Sequence, residues 1–152
     1  MIPHFTLAEF IRSDVAIFRG IDNTLPPELE ADAVLTLEMM ERIRAHLSDV
    51  AGKDIPIRIN SGYRSPEVNA AVRSAPTSDH PKACAVDFVA PEFGTPMEVC
   101  KALAPMISVL RIGQLIYEFG LWTHVSTLVP ANPVNRIISI GHAGAFPGIV
   151  GV

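Results

Sequence analysis

Apolar residues at Leu29, Ala33, Leu37, Met40, Ile43 and Leu47 recur at steps of three and four, the spacing that lines one face of an α-helix. The run begins just past Pro26-Pro27, and Gly52 supplies a stop, so the main amphipathic helix is expected between them. In IPIRIN, residues 55–60, the period changes to two. Ile55, Ile57 and Ile59 share one face, which predicts a strand that breaks at Ser61-Gly62.

Capping signals place the shorter elements. Thr6 with Glu9 fits a capping box opening a helix over TLAEFIR, with Phe5 positioned to staple it. Ser65 and Pro66 read as cap and first residue of a helix over PEVNAAV. A polar loop then delivers His80, and ACAVDFVA reads as the next strand. Thr95, Pro96 and Glu98 open a helix over GTPMEVCKALAPMI that Pro105 ends or kinks. QLIYEF and LWTHVST alternate as two strands joined at Gly120, a hairpin. The stretch 131–152 is rich in glycine and proline, shows no period, and is expected to be a loosely structured tail.

The 152 residues, 49% apolar and 18% charged, suit a single domain over 1–152 with one sizeable core. A net charge of −4 with scattered Lys and Arg supplies no basic field, so nucleic acid is not an expected partner. MIPHFTLAEF lacks the basic-then-apolar order of a signal peptide, and no apolar run reaches the length of a membrane span. The chain is therefore expected to be cytoplasmic as synthesised, without membrane insertion. Cys84 and Cys100 read as buried thiols rather than a disulfide.

Strand alternation carries the chemistry. On ACAVDFVA it puts Ala83, Ala85, Asp87 and Val89 on one side and Cys84, Val86 and Phe88 on the other, so Asp87 projects between alanines. On LWTHVST it groups Trp122, His124 and Ser126. If those strands are neighbours, Asp87 and His124 can converge while His80 reaches in from its loop. Two imidazoles and one carboxylate leave an open position on a tetrahedral zinc, the ligand count of a catalytic site. The competing reading is ordinary: a hydrogen-bonded histidine and a paired carboxylate.

The segments SGYRSPEVNAAV, SDHPKACAVDF and QLIYEFGLWTHVS, in that order, resemble the M15 family of zinc D-alanyl-D-alanine peptidases, notably its short phage and prophage members. The family pattern S-x-H-x-x-G-x-A-x-D, followed by W-x-H, is matched at Ser78, His80, Ala85, Asp87, Trp122 and His124. The resemblance runs from about His4 to Ser126. It implies that His80, Asp87 and His124 bind Zn²⁺, and that Arg64 contacts substrate and the developing oxyanion. It also assigns Ser78 and Trp122 to substrate binding. The implied fold is α+β, Hedgehog/DD-peptidase-like: a small antiparallel sheet carries the metal and helices pack against it.

Four positions depart from the family pattern. Ala83 stands where the motif has glycine, and Arg73-Ser74 replaces a Gly-Gly pair that often precedes the loop. Leu121 stands where many relatives have the acidic residue of E-x-x-H. Glu118 is then the available carboxylate, either as general base or as a structural partner of a ligand histidine. The expected function is a zinc metallopeptidase acting on peptidoglycan stem peptides, as carboxypeptidase or endopeptidase. The alternative is a zinc-stabilised structural or cell-wall-binding module. No sequence feature fixes the oligomeric state.

Overall fold

In the computed structural model, which describes residues 1–152, Thr6 opens α1 (Leu7–Ile11). Its hydroxyl accepts the Glu9 N–H and the Glu9 carboxylate accepts the Thr6 N–H, completing the expected capping box. A helix not foreseen, α2 (Asp14–Arg19), follows immediately, capped by Ser13. Its six residues are too few to show a period, and Ile17 and Phe18 face solvent. The long helix α3 (Glu30–Ala51) buries Ala33, Leu37, Met40, Ile43 and Leu47 as the spacing predicts, and adds Thr36 and Met39. It stops at Gly52, whose left-handed backbone lets its N–H bond back to the last turn.

The first strand, β1 (Arg58–Ser61), starts three residues later than expected. Pro56 has no N–H for a ladder, and the Ile55 N–H is taken by the Ser48 hydroxyl, so pairing begins only at Arg58. Ser65 caps α4 (Pro66–Ala71) as read from the sequence. A single 3₁₀ turn (His80–Lys82) leads into β2 (Ala85–Val89). The second capping box opens α5 (Pro96–Leu103), which tightens into a 3₁₀ turn around Pro105. The hairpin follows as expected, β3 (Gln114–Glu118) and β4 (Trp122–Ser126).

The stretch 131–152 is not loosely structured. It forms a 3₁₀ turn (Pro133–Arg136) and two strands, β5 (Ile137–Gly141) and β6 (Gly144–Pro147). Strand β6 is exposed along its length, and in β5 Ile137 and Ile138 stand side by side while Ser139 is buried, so neither shows apolar residues alternating with polar ones. Strand β5 is ordered by pairing with β3, and β6 by pairing with β5; the first is a tertiary contact that no local pattern encodes.

The six strands run in the order β1-β2-β4-β3-β5-β6. Every neighbouring pair is antiparallel except β3 with β5, which is parallel, so the sheet is mixed rather than wholly antiparallel. One face is apolar: Val86, Phe88, Val125, Leu115 and Tyr117 join residues of α1, α3 and α5 in a core of 22 buried side chains. Helices thus cover that face, the α+β arrangement expected. Cys84 and Cys100 are both free and buried. No helix is long and apolar enough to cross a membrane.

Candidate active site

Register on the opposite face builds the site. Asp87 on β2 pairs with Ser61 on β1 and with His124 on β4, and His124 pairs in turn with Ile116 on β3. Because facing residues in paired strands point the same way, these four lie in one row across the sheet. One step along, Glu118 faces Trp122. His80 enters from the 3₁₀ turn before β2 and is 2% exposed.

The three expected metal ligands converge. His124 Nδ1 lies 2.8 Å and His80 Nε2 3.3 Å from the same Asp87 oxygen, Oδ1. The ligating atoms all fall within 4.8 Å of one another, and all three residues are buried. The other ring nitrogen of His80, Nδ1, donates to the Gly62 carbonyl at 2.6 Å, which fixes the tautomer with the Nε2 lone pair facing Asp87 and His124. Two neutral-capable imidazoles and one carboxylate, with one imidazole anchored from behind, fit a divalent transition metal such as Zn²⁺.

Charge in the cluster is set by mutual proximity. Burial pushes the Asp87 carboxyl up, but the adjacent His80 and His124 outweigh it and hold the group well below the usual carboxylate range. Burial lowers the His80 pKa, keeping that ring neutral. Burial acts the same way on His124, where the hydrogen bond and charge of Asp87, with Glu118 and Asp79 beyond, reverse it and raise the pKa. An ionised Asp87 and a neutral His80 suit metal ligation, whereas His124, whose pKa the same carboxylate raises, would release its proton as a metal binds.

Arg64 is held on four sides. Its Nε donates to Asn69 at 3.2 Å, one Nη to Ser61 at 3.1 Å and the other to Ser74 at 3.3 Å. The guanidinium also stands 3.6 Å from Asp87 Oδ2, and no pairing with Glu67 forms. Glu118 lies 3.8 Å from His124 Nδ1. Burial raises its pKa and the Asp87 charge adds to that, against the lowering effects of His124, Arg64 and Trp122. The Trp122 indole N–H is buried and makes no hydrogen bond of good geometry, although it is near enough to Glu118 to favour the ionised carboxylate.

All seven residues singled out from the sequence, Arg64, Ser78, His80, Asp87, Glu118, Trp122 and His124, line one cleft of about 590 Å³. Sequence reasoning missed the polar frame of Arg64, the Gly62 carbonyl behind His80, and Phe119 at the rim. Phe119 stacks between Trp122 and His142, at ring-centroid distances of 5.7 and 5.2 Å. The SGYRS run held the signal for Ser61 and Gly62, but nothing local shows which backbone group a distant histidine will bond.

Ala83 proves to be the strained position. It ends the 3₁₀ turn with φ of 59° and ψ of 26°, in the left-handed region that favours glycine. The alternation read through Ala83 and Cys84 therefore begins only at Ala85. The Ala83 carbonyl accepts the Thr36 hydroxyl of α3 at 2.8 Å, and its methyl is fully buried in the core, so packing holds the turn. Cys84 is buried outside that core cluster, and its sulfhydryl turns back to the Lys82 carbonyl rather than to the metal ligands.

A mixed sheet that presents a His-Asp-His cluster beside a fixed arginine and a half-buried glutamate defines a candidate metal-dependent hydrolase. The sequence model of the Peptidase M15 family matches residues 3–126, and the chain belongs to that family. No curated protein matches the chain.

Proposed function

We propose that the protein is a zinc metallopeptidase that hydrolyses a peptide bond in peptidoglycan stem peptides, next to a D-amino acid. The observation that carries this reading is the convergence of His80 Nε2, Asp87 and His124 Nδ1 at one end of a cleft that also holds Arg64 and Glu118. Zn²⁺ bound by those three residues would supply a Lewis acid for the scissile carbonyl and for water.

The chain's own residues supply the rest. Glu118, with its raised pKa, takes the proton of the attacking water and returns it to the leaving amine. Arg64, fixed by Ser61, Asn69 and Ser74, presents preorganised positive charge where negative charge develops on the carbonyl oxygen. Trp122 and Ser78 wall the cleft and orient the peptide. The stem peptide as substrate, and a phage or prophage origin, rest on the resemblance of the motifs.

The test is mass spectrometry of defined muropeptides after incubation with the zinc-loaded protein, with and without chelator. Loss of a terminal residue, or scission within the stem, that stops with chelator is expected. Intact muropeptides with zinc fully bound would favour the rival reading, a binding module that keeps the metal without the reaction. Its supports are Leu121, exposed where many relatives carry an acidic residue, and Ala83 in place of the motif glycine.

A further inference from the structure

Arg73 lines the same cleft as the three metal-binding candidates, and nothing said so far uses it. It follows the C-cap of α4, where its N–H closes the helix onto the Ala70 carbonyl. Its φ is 57°, in the left-handed region where a helix terminus ordinarily has glycine. A long cationic side chain is thus held at a position that backbone sterics disfavour.

The two arginines of the cleft differ in their partners. Arg64 is committed to three side-chain hydrogen bonds and the Asp87 carboxylate. The Arg73 guanidinium is exposed and forms no ion pair, although ion pairs form elsewhere on the surface, as between Arg12 and Asp14 or Lys82 and Asp79. The charged residues of the lining are Arg64, Arg73, Asp87 and Glu118, two of each sign. A divalent cation leaves the cleft positive, against the net charge of −4 for the whole chain.

We propose that Arg73 is a specificity-determining residue that binds a carboxylate of the substrate, the free C-terminal carboxylate beyond the scissile bond. A planar guanidinium with unspent donors matches a carboxylate bidentately. A cleft of about 590 Å³ holds a ligand of small-molecule size, so the carboxylate on Arg73 and the carbonyl at the metal site belong to one short segment. This makes the enzyme a carboxypeptidase rather than an endopeptidase. The inference rests on the peptidase reading for the reaction, but the recognition step is measurable without turnover.

The experiment is calorimetric titration of the zinc-loaded Glu118→Gln protein with an acetylated tripeptide ending in D-Ala-D-Ala, and with the same tripeptide as its C-terminal carboxamide. The acid is expected to bind roughly tenfold or more tightly than the amide, the scale of hydrogen bonds to charged groups. Adding Arg73→Gln should bring the acid to the affinity of the amide and leave the amide unchanged. A role confined to the α4 terminus would move neither ratio. Arg73→Gly, which suits the left-handed backbone, should lose the preference while melting no lower than the parent, so misfolding cannot mimic the result. Equal affinity for acid and amide, binding of neither, or a preference that survives Arg73→Gln overturns the assignment. If the Arg73-dependent preference is present but the wild-type protein cuts no muropeptide, the peptidase reading falls and the assignment of Arg73 stands.

Discussion

Gly62 lies so close to Phe10 that a Cβ added to it would run into the Phe10 carbonyl oxygen and ring. Tyr63 also donates its N–H to that carbonyl at 2.8 Å, so α1 and the end of β1 are locked together at this point. The carbonyl of Gly62 is the group that orients His80. Gly62→Ala should therefore cost about 1–3 kcal/mol of stability through overpacking. It should also weaken metal binding by about 10–100-fold through loss of the His80 anchor. Competition titration against a chromogenic chelator reads the second effect; unchanged affinity would mean that the anchor is dispensable.

Arg73 and Ala83, both in the left-handed region, should respond differently to glycine. At Arg73, which is exposed, relief of strain has nothing to offset it, and Arg73→Gly should gain about 1 kcal/mol, raising Tm by about 2–4 °C. At Ala83 a similar gain is opposed by loss of a fully buried methyl, worth about 0.8 kcal/mol. Ala83→Gly should thus change stability little. Thermal melts of the two variants decide it, and equal shifts would contradict the packing account of Ala83.

Glu118→Gln should retain metal and fold but reduce kcat by about 10²–10⁴-fold. Because Glu118 is the titrating base, with burial and Asp87 raising its pKa and a bound divalent cation opposing that shift, kcat/KM should show an acidic limb that belongs to Glu118. The base must be ionised, so activity falls as pH drops through that limb. An acidic limb that survives unchanged in Glu118→Gln would remove Glu118 from the role.

Arg64→Lys keeps the charge but cannot reproduce a fork held by Ser61, Asn69 and Ser74. A loss of about 10²-fold in kcat with unchanged metal content is expected, the scale of removing one oxyanion donor. Metal loss in this variant would instead mark Arg64 as a support for Asp87.

Cys100 is fully buried beside Thr123 Oγ1, and burial pushes its thiol from 9.0 up to about 11. Between those values the unfolded chain has given up the proton and the folded chain has not. Stability should therefore be full below pH 9 and fall across the interval to about pH 11, by roughly 3 kcal/mol. Denaturant melts of wild type and Cys100→Ala across that range test it. An equal alkaline slope in both would place the titration elsewhere.

The sequence made the site more legible than the fold around it. Asp87, His124, Glu118 and Trp122 sit on strands whose alternation shows in the residues themselves, so their shared face could be read before the strands were paired. Thr6, Ser65 and Thr95 marked three helices because capping is local chemistry. By contrast, α2 is one short turn-and-a-half with Ile17 and Phe18 facing water, and no period can betray it. The frame of Arg64 joins residues from 61 to 74 through side-chain bonds that depend on how the chain folds back, which spacing does not record. Strands β5 and β6 were missed for two reasons: β6, Gly-Ala-Phe-Pro, suits a loop equally well, whereas the three isoleucines of β5 were a strand signal lost among the glycines and prolines around them.

Those two strands have a further consequence. The family match ends at residue 126, yet the Phe119 N–H donates to the Ile140 carbonyl at 2.7 Å, and the His142 ring packs on Phe119, whose own φ is 54°. The turn that separates Glu118 from Trp122 is thus braced from outside the matched segment. A fragment trimmed to residues 3–126 would leave β3 with an unpaired hydrogen-bonding edge and its turn unsupported. The folded unit that braces this turn is longer than the segment that identifies the family.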